Sequence, residues 1–281
     1  MKKLSLLVLV SLIACHKQTP QQVNAIVTLN ENVQPIDSMT LVLDKTISEI
    51  NASSRYDNFI LFIHGRGKHP QKAFKKKLLI DLEKDYSAKV IMFHWPSWEG
   101  TYAFPTKKAR NAAADLLQVF KMIEGYKINC KGKCKNINFT LFSNSMGSIV
   151  LEQAMLNYDG SISQIFDTLI INASSSLARN HSHWVDKINF SKNTYITINQ
   201  DDKLLGKLGI RFLGKRLGKG LTSLFGNEFN TAKDVTYIDL TKSQIGHSYY
   251  LHRNIAGKPV VLNFYKQVLN GVAFTLGSNN L

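Results

Sequence analysis

A short apolar run, a turn and a helical pattern follow one another between residues 137 and 156, and this stretch constrains the fold more than any other. Apolar residues within 137–142 predict a buried strand, and those within 149–156 have helical spacing. The turn between them reads S-N-S-M-G. A sharp turn of this kind holds the Ser145 hydroxyl above the sheet, where a histidine can reach it. The helix N-terminus and the Met146 amide then face a developing oxyanion.

The turn is an imperfect match to G-x-S-x-G, the pattern of a nucleophilic serine on a strand-to-helix turn. Ser143 replaces the first glycine. A small residue still meets the physical requirement, which is close approach of two backbones. The alternative is a chance serine in an ordinary turn, and the rest of the chain must decide between the two.

A second strong strand is predicted at residues 59–63, a continuous apolar pentad that leads into His64-Gly-Arg-Gly. The two glycines let the backbone turn and approach a substrate. We expect the Arg66 amide to be the second oxyanion donor, beside that of Met146. A simple glycine turn is the alternative. His64 is expected to shape this loop rather than to act as a base.

Strands and helices alternate along the chain. Further strands are predicted at 90–93, 168–171, 193–198 and 235–240, and helices at 71–86, 106–126 and 260–269. This alternation predicts an α/β protein with a mostly parallel sheet and helices on both faces. Weaker early strands are expected at 23–29 and 39–43. Residues 177–187, which include His181, His183 and Trp184, are candidates for a pocket lining.

An acid and a histidine follow the last two predicted strands. Asp202 comes just after the strand at 193–198, and His247 lies in the loop after the strand at 235–240. A carboxylate orients a histidine that takes the proton of a serine hydroxyl. The chain order Ser145, Asp202, His247 is the order found in alpha/beta-hydrolases.

The sequence resembles bacterial alpha/beta-hydrolases of the esterase/lipase-like branch, whose members mostly lack an assigned substrate. The resemblance covers roughly residues 57–270 and is carried by five stretches, 62–67, 93–97, 143–147, 201–205 and 246–250. It implies the alpha/beta-hydrolase fold and places the acid at Asp202 rather than Asp201. Asn144 stands where the family commonly has histidine, so the bracing of the turn is expected to differ there.

The resemblance implies a serine hydrolase that cleaves carboxylic esters of small molecules or lipids without a cofactor. Two alternatives remain. The first is a non-catalytic envelope protein that keeps the fold as a binding module, since a fold does not prove a function. The second is a lipase or thioesterase that acts on membrane lipids. The catalytic domain is predicted at residues 57–281.

The N-terminus predicts a lipoprotein signal peptide at residues 1–15. Two lysines precede an apolar run that is too short to span a bilayer, and Cys15 follows Leu-Ile-Ala. This ending resembles a lipobox, so Cys15 is predicted to be lipidated and to anchor the protein on the extracytoplasmic side of a bacterial membrane. An ordinary secretory peptide cut near Ala14 is the alternative. Residues 16–56 are predicted to be a tether and early strands.

The formal net charge is +15 at pH 7, which we attribute to a lysine-rich surface. No nucleic-acid partner is expected, because the chain has no recognition motif for one. Cys130 and Cys134 are predicted to form a disulfide, since they are the remaining pair once Cys15 is lipidated. Two thiolates alone make no zinc site, so no metal is expected. The oligomeric state is left open.

Residues 203–225 combine basic and apolar residues in a helical pattern. The basic residues recur every fourth position, at 203, 207, 211, 215 and 219. One continuous helix would form a basic row that lies on anionic lipid or covers Ser145 as a lid. Five glycines in the same stretch favour the alternative of a broken helix packed on the sheet.

Overall fold

The computed structural model describes residues 23–30, 33–67, 73–97, 105–211, 214–223 and 226–274. The predicted signal peptide, Cys15 and the tether up to residue 22 lie outside these ranges, so lipidation and anchoring stay predictions. Among the described residues, none of the helices has the length and apolar character needed to cross a membrane.

Seven strands form one sheet in the order β1-β3-β2-β4-β5-β6-β7. All neighbouring pairs are parallel except β1 and β3, which are antiparallel. The predicted mostly parallel sheet is therefore confirmed. The strands are β1 Ala25–Val27, β2 Asn58–Ile63, β3 Ala88–His94, β4 Asn138–Asn144, β5 Phe166–Asn172, β6 Ser191–Ile198 and β7 Val235–Asp239.

Helices cover both faces of the sheet, as the sequence predicts. They are α1 Met39–Asn51, α2 Ala73–Asp85, α3 Thr106–Asn129, α4 Gly147–Leu156, α5 Ser182–Val185, α6 Lys203–Arg211, α7 His252–Ile255 and α8 Pro259–Leu269. Alternate residues of β2 point to opposite faces. Phe59, Leu61 and Ile63 belong to the apolar layer under α1, α3 and α4. Ile60 and Phe62 belong to the layer under α2 and α8.

The parallel strands end along one edge of the sheet, which is where ligands bind in open α/β sheets. Ile63 at the end of β2 is in register with Ser143 near the end of β4. Asn144 is in turn in register with Asn172, the last residue of β5. The segments after β2, β4, β5 and β6 therefore start beside one another.

The segment at 39–43, predicted to be a strand, is instead the first turn of helix α1. The prediction is wrong because the buried positions 39, 42, 43, 46, 47 and 50 have helical spacing, which five residues are too few to reveal. Helix α1 packs on the same apolar layer as α3, and the Tyr126 hydroxyl donates a 2.9 Å hydrogen bond to Asp44. Strand β1 and helix α1 are thus part of the sheet and its helical layer.

The expected disulfide between Cys130 and Cys134 is absent from the structure, where both are free thiols. Cys130 follows helix α3 directly, and its thiol lies 3.2 Å from the Lys127 carbonyl of the last turn. This contact satisfies a helix-terminal acceptor and turns the sulfur into a hydrogen-bond donor. Burial, together with the neighbouring Cys130, raises the pKa of the Cys134 thiol to about 12.

Candidate active site

Ser145 lies on the turn between β4 and α4 with a φ of 53°. This left-handed conformation is uncommon for a residue with a side chain, and it persists only where the surroundings enforce it. The Ser145 amide donates to the Asn172 carbonyl at 2.9 Å. The Ser145 carbonyl accepts from the Ser148 hydroxyl at 2.7 Å and from the Ser175 amide at 3.1 Å. The backbone of Ser145 is thus held on both sides.

Close backbone approach around the turn accounts for its small residues. A Cβ atom on Gly147 would lie 2.4 Å from the Ile63 carbonyl oxygen, and one on Gly65 would lie 2.9 Å from the Ser145 Cβ. Neither position has room for a side chain. Ser143, which replaces the first glycine of the motif, is completely buried in β4. The structure therefore tolerates a serine there.

The structure brings the three predicted residues together. The Ser145 Oγ lies 2.9 Å from the His247 Nε2, and the His247 Nδ1 lies 2.6 Å from the Asp202 Oδ2. In this arrangement the Ser145 hydroxyl donates to Nε2, and Nδ1–H donates to the carboxylate. Asp201 is exposed, and its amide donates to Asn199. The partner of His247 is therefore Asp202, as the resemblance of residues 201–205 to the family implies.

Asp202 also caps helix α6. Its Oδ1 accepts the amides of Leu204 and Leu205 at 2.9 and 3.0 Å, while its Oδ2 accepts from His247. Burial of the carboxyl opposes ionisation, but the hydrogen bond and charge of His247 and the two amides outweigh it and lower the pKa of Asp202. Asp202 therefore remains an anion beside the histidine.

The His247 loop is fixed by Asn199, a residue that the sequence analysis did not assign. Asn199 is completely buried just after β6. Its Nδ2 donates to the Ile245 carbonyl at 2.9 Å, and its amide donates to the Gly218 carbonyl at 2.8 Å. One side chain thus ties the segment that carries Asp202 to the loop that carries His247. A polar residue directly after a buried strand was the available signal.

The continuous helix that would give residues 203–225 a basic row does not form, as the glycines in this stretch predict. Helix α6 has Arg211 as its last residue, and a 3₁₀ turn, Leu217–Lys219, follows further along. The Lys219 ammonium donates to the carbonyls of Gln200 and Asp202, and the Lys215 ammonium donates to Thr222. These two lysines bind local acceptors, so the broken-helix alternative is the one observed. The side chains at 208–213 lie outside the described residues.

The loop after β2 is braced by residues 94–97. The His64 Nε2 lies 3.0 Å from the His94 Nδ1, and the Trp95 indole donates to the His64 carbonyl at 2.8 Å. The Ser97 hydroxyl accepts from the Gly67 amide at 2.8 Å and donates to the Gly67 carbonyl at 3.0 Å. His64 therefore shapes the loop, as predicted.

The two predicted oxyanion donors flank the serine in different ways. Arg66 and Gly65 line a cavity of about 130 Å³ together with Ser145 and His247. Met146 follows Ser145 directly at the start of helix α4. The roles of the Met146 and Arg66 amides stay predictions.

A cluster of hydroxyl groups surrounds the turn, and the sequence analysis did not assign it a role. The Ser148 Oγ accepts from the Ser174 hydroxyl at 2.9 Å and from the Ser175 amide at 3.1 Å. The Ser176 hydroxyl is 3.2 Å from the same atom. The Ser175 Oγ itself lies 3.4 Å from the Ser145 Oγ. Four consecutive polar or small residues after β5 were the sequence signal for this cluster.

Asn144, the departure from the family pattern, belongs to a buried polar network. Its Oδ1 accepts a 2.9 Å hydrogen bond from the Asn172 Nδ2, and the Asn172 Oδ1 accepts from Thr197 and from the hydroxyl of Tyr265. The Tyr249 hydroxyl, two residues after His247, is 2.9 Å from the Thr197 hydroxyl. The network links the turn to the histidine loop through paired, uncharged groups.

Of the predicted lining residues at 177–187, Leu177 lines a cavity of about 390 Å³, whereas the two histidines and Trp184 play other parts. His181 and Trp184 are buried, and the His181 ring bonds to the Ala178 carbonyl and the Tyr237 hydroxyl. His183 is exposed. Within the described ranges, no group of three or more histidine, cysteine or acidic side chains could hold a metal ion.

The sequence of residues 42–270 matches the model of a family described as Alpha/beta hydrolase of unknown function (DUF900). The chain belongs to this family. No curated protein matches this DUF900 chain.

Solved structures match this chain at low identity and low TM-score. A cold-adapted esterase from an Arctic intertidal metagenomic library has a TM-score of 0.44 and 14% identity, with 78% of this chain and 84% of that chain covered. Esterase 2 of Thermogutta terrifontis has a TM-score of 0.41 and 10% identity, with 80% and 86% covered. XC6422 of Xanthomonas campestris, a serine hydrolase without a lid, has a TM-score of 0.41 and 12% identity, with 79% and 86% covered.

Proposed function

We propose that this DUF900 protein is a serine hydrolase of carboxylic esters. The observation that carries the proposal is the chain of two short contacts, 2.9 Å from the Ser145 Oγ to the His247 Nε2 and 2.6 Å from the His247 Nδ1 to the Asp202 Oδ2. Both lie within the reach that proton transfer to and from a histidine requires. The strained backbone of Ser145 supports the same assignment, because strain of this kind gathers at functional sites.

The proposed reaction has two steps. The Ser145 oxygen forms a bond to the acyl carbon while its proton passes to the His247 Nε2. The bond from the acyl carbon to the alcohol oxygen then breaks, and the alcohol oxygen takes that proton from His247. Water attacks the acyl-enzyme by the same route, with His247 as base, and releases the acid and free Ser145. Asp202 orients and stabilises the charged imidazole throughout.

We assign to the amides of Met146 and Arg66 the stabilisation of the negative charge that develops on the carbonyl oxygen. Removal of one such donor in a serine hydrolase typically lowers the rate by ~10²–10³. The support for this role is position, since Met146 is the N-cap residue of helix α4 and Arg66 lines the same cavity as Ser145. The positive end of the α4 dipole acts in the same direction.

A fluorophosphonate probe tests the assignment of the nucleophile. We expect the probe to label the wild-type protein at Ser145, as located by peptide mass spectrometry, and to leave Ser145→Ala unlabelled. Ser161→Ala is the control, because Ser161 is exposed in the loop between α4 and β5 and this variant should be labelled like the wild type. Absence of labelling in a folded wild-type protein would favour the non-catalytic binding module.

The size of the cavity beside Ser145 bears on the substrate. The cavity that contains Ser145 has a volume of about 130 Å³, and a neighbouring cavity of about 950 Å³ shares Leu204 and His247 with it. The smaller cavity takes the scissile ester group, and esters of graded chain length show how much more of the substrate is bound. For an esterase we expect p-nitrophenyl acetate and butyrate to be cleaved at least tenfold faster than the palmitate. A preference for palmitate would instead support the lipase alternative.

We also propose that the protein is tethered to a bacterial membrane, facing the extracytoplasmic side, through a lipidated Cys15. The support is the sequence alone, in which a short apolar run ends at Leu-Ile-Ala before this cysteine. Fractionation of cells that express Cys15→Ser should recover the protein in the soluble extract, whereas the wild type sediments with membranes. Membrane association of the variant equal to that of the wild type would refute the lipid anchor.

A further inference from the structure

The larger of the two cavities beside His247 borders the reacting groups. It has a volume of about 950 Å³ and lies between the start of helix α6 and the loop that carries His247. Leu204 and His247 line both this cavity and the one that contains Ser145. Asp202 lines the larger cavity as well. A substrate whose ester group lies at Ser145 can therefore extend past Leu204 and His247 into the larger cavity.

Three lysines line this larger cavity, which we call the lysine cavity. Lys203 and Lys207 are four residues apart on helix α6, so their side chains project from the same side of the helix. Both side chains are exposed. Lys219 reaches the cavity from the 3₁₀ turn Leu217–Lys219. Two segments that are separate in sequence thus place their ammonium groups around one space.

The positive charge of the lysine cavity is not neutralised by the protein. Across the part of the chain that the structure describes, no acidic side chain forms a salt bridge with any of the three lysines. The Lys219 ammonium donates to the carbonyls of Gln200 and Asp202, which are uncharged acceptors. Two carboxylates line the cavity, and that of Asp202 already accepts from His247 and from helix amides. Only Asp201 then opposes three ammonium groups, so the cavity attracts anions.

A fourth lysine feels the same concentration of positive charge. The Lys215 ammonium donates to the Thr222 hydroxyl at 2.7 Å. Burial lowers the pKa of Lys215, and the positive charge of Lys219 lowers it further. An anion in the lysine cavity would reduce this repulsion between neighbouring ammonium groups.

The lysine cavity also has an apolar part. Leu204 is 51% exposed although its side chain is apolar, and Ile245 lines the wall from the His247 loop. The methylene stems of the lysines add apolar surface while their ammonium groups stay in water. A ligand with an apolar body and a negative charge matches both parts of the wall. A neutral apolar chain would leave the ammonium groups without a counter-charge.

We propose that the lysine cavity binds a negatively charged group of the substrate, so that the substrates are esters that carry an anion on an apolar body near the scissile bond. This inference rests on the proposed hydrolysis at Ser145 and specifies its substrate class. The bonds that form and break are those of the hydrolysis described above, and the anionic group takes part in none of them.

The experiment compares esters that differ in charge but hardly in shape. 4-Acetoxybenzoate and 4-acetoxybenzamide differ in the leaving group, and monophenyl adipate and its monoamide differ in the acyl group. Each kcat/KM is divided by the rate constant for reaction of the same ester with imidazole, a neutral nucleophile, which corrects for intrinsic reactivity. We expect the anion to be preferred at least fivefold in at least one pair. A smaller preference, or none, in both pairs overturns the proposal.

Removal of two charges from the cavity tests whether these lysines cause the preference. Lys203→Gln combined with Lys207→Gln should lower the ratio of kcat/KM for the anion to that for its amide at least fivefold. Lys131→Gln combined with Lys135→Gln is the matched control, because these exposed lysines precede β4, whereas Ser145 follows it. The control removes the same net charge and should keep the ratio within twofold. An unchanged ratio in the first variant, or an equal fall in both, overturns the proposal.

Ionic strength gives a readout that a merely structural role of the lysines would not produce. The Debye length falls from about 30 Å at about 0.01 M salt to about 3 Å at about 1 M, so the attraction of an exposed anion is screened over this range. We expect the ratio of anion to amide to fall at least threefold over this range in the wild type and to change less in the variant that lacks Lys203 and Lys207. Equal salt dependence in the two proteins overturns the proposal.

Labelling of Ser145 separates failure of this inference from failure of the proposed function. A wild-type protein that is labelled at Ser145 but shows no preference for the anions remains a serine hydrolase with another substrate class. A folded protein that is neither labelled nor active on any of the four esters refutes both proposals.

Discussion

Replacement of Asp202 by asparagine separates the two tasks of this side chain. Its Oδ2 accepts the hydrogen bond from His247, and its Oδ1 accepts the amides of Leu204 and Leu205. Asparagine caps helices about as well as aspartate, so the start of helix α6 should survive. The amide lacks the charge that stabilises imidazolium, and its NH₂ group can favour the wrong histidine tautomer.

The expected loss of activity in Asp202→Asn is large. The same change in a serine protease lowers kcat by ~10⁴, equivalent to ~5.5 kcal/mol of transition-state stabilisation. We expect a loss of ~10³–10⁴ in kcat with p-nitrophenyl acetate. Asp201→Asn is the control, because Asp201 is exposed and its side chain does not reach His247. The activity of this control should stay within about twofold of the wild type.

The stability of Asp202→Asn should depend on pH in a defined direction. Because the folded protein lowers the pKa of Asp202, ionisation of this group stabilises the fold above the unfolded pKa of about 3.9. This contribution is lost as the pH falls through the lower, folded pKa. The difference in unfolding free energy between the wild type and the variant, measured with urea, should therefore be largest near neutral pH and shrink below about pH 4.

A larger loss of activity in Asp201→Asn than in Asp202→Asn would refute the assignment of Asp202 as the partner of His247.

Three further predictions concern the packing around the site. Asn199→Ala leaves the buried Ile245 carbonyl without its donor, so the free energy of unfolding in urea should fall by ~1–3 kcal/mol and kcat should fall with it. An unchanged kcat would show that the His247 loop keeps its position without Asn199. Gly147→Ala places a Cβ 2.4 Å from the Ile63 carbonyl oxygen and should destabilise the protein by ~1–3 kcal/mol. Gly125→Ala in helix α3 is the contrast, because its Cβ meets no atom within 4 Å and should stabilise the protein by up to ~1 kcal/mol. Because the pKa of the Cys134 thiol is raised to about 12, iodoacetamide at pH 8 should modify it at least tenfold more slowly in the folded protein than in the urea-unfolded protein. A protein mass lower by two hydrogens than that of the reduced chain would instead reveal the disulfide.

Much of the architecture could be predicted because buried parallel strands leave uninterrupted apolar runs, as at β2 and β4. Ser145, Asp202 and His247 follow predicted strands, and their chain order of serine, acid and histidine then identified them as the candidate catalytic residues. Helix α1 was mispredicted because its five leading residues carry no visible period. The expected disulfide was inferred by counting cysteines, and the structure instead has two free thiols, of which that of Cys130 contacts a helix-terminal carbonyl.

The supporting residues could not be predicted from the sequence. Asn199, Ser148 and Arg216 act through partners that are distant in sequence or on other segments, and single-sequence patterns carry no information about such pairs. The Arg216 position was assigned only to a basic stretch. Its burial depends on where the fold places the segment just before the 3₁₀ turn Leu217–Lys219.

The pairing of β1 with β3 has a practical consequence for how the protein is produced. A recombinant chain begun at residue 57, to remove what looks like a linker, would lack both β1 and α1. Met92, Phe93 and His94 would lose their β1 neighbours, and the part of α3 that packs against α1 would be exposed to water. Unpaired strand edges next to apolar surface promote association between chains. Such a shortened protein should aggregate, whereas one begun near residue 23 keeps the edge covered by a strand of three residues.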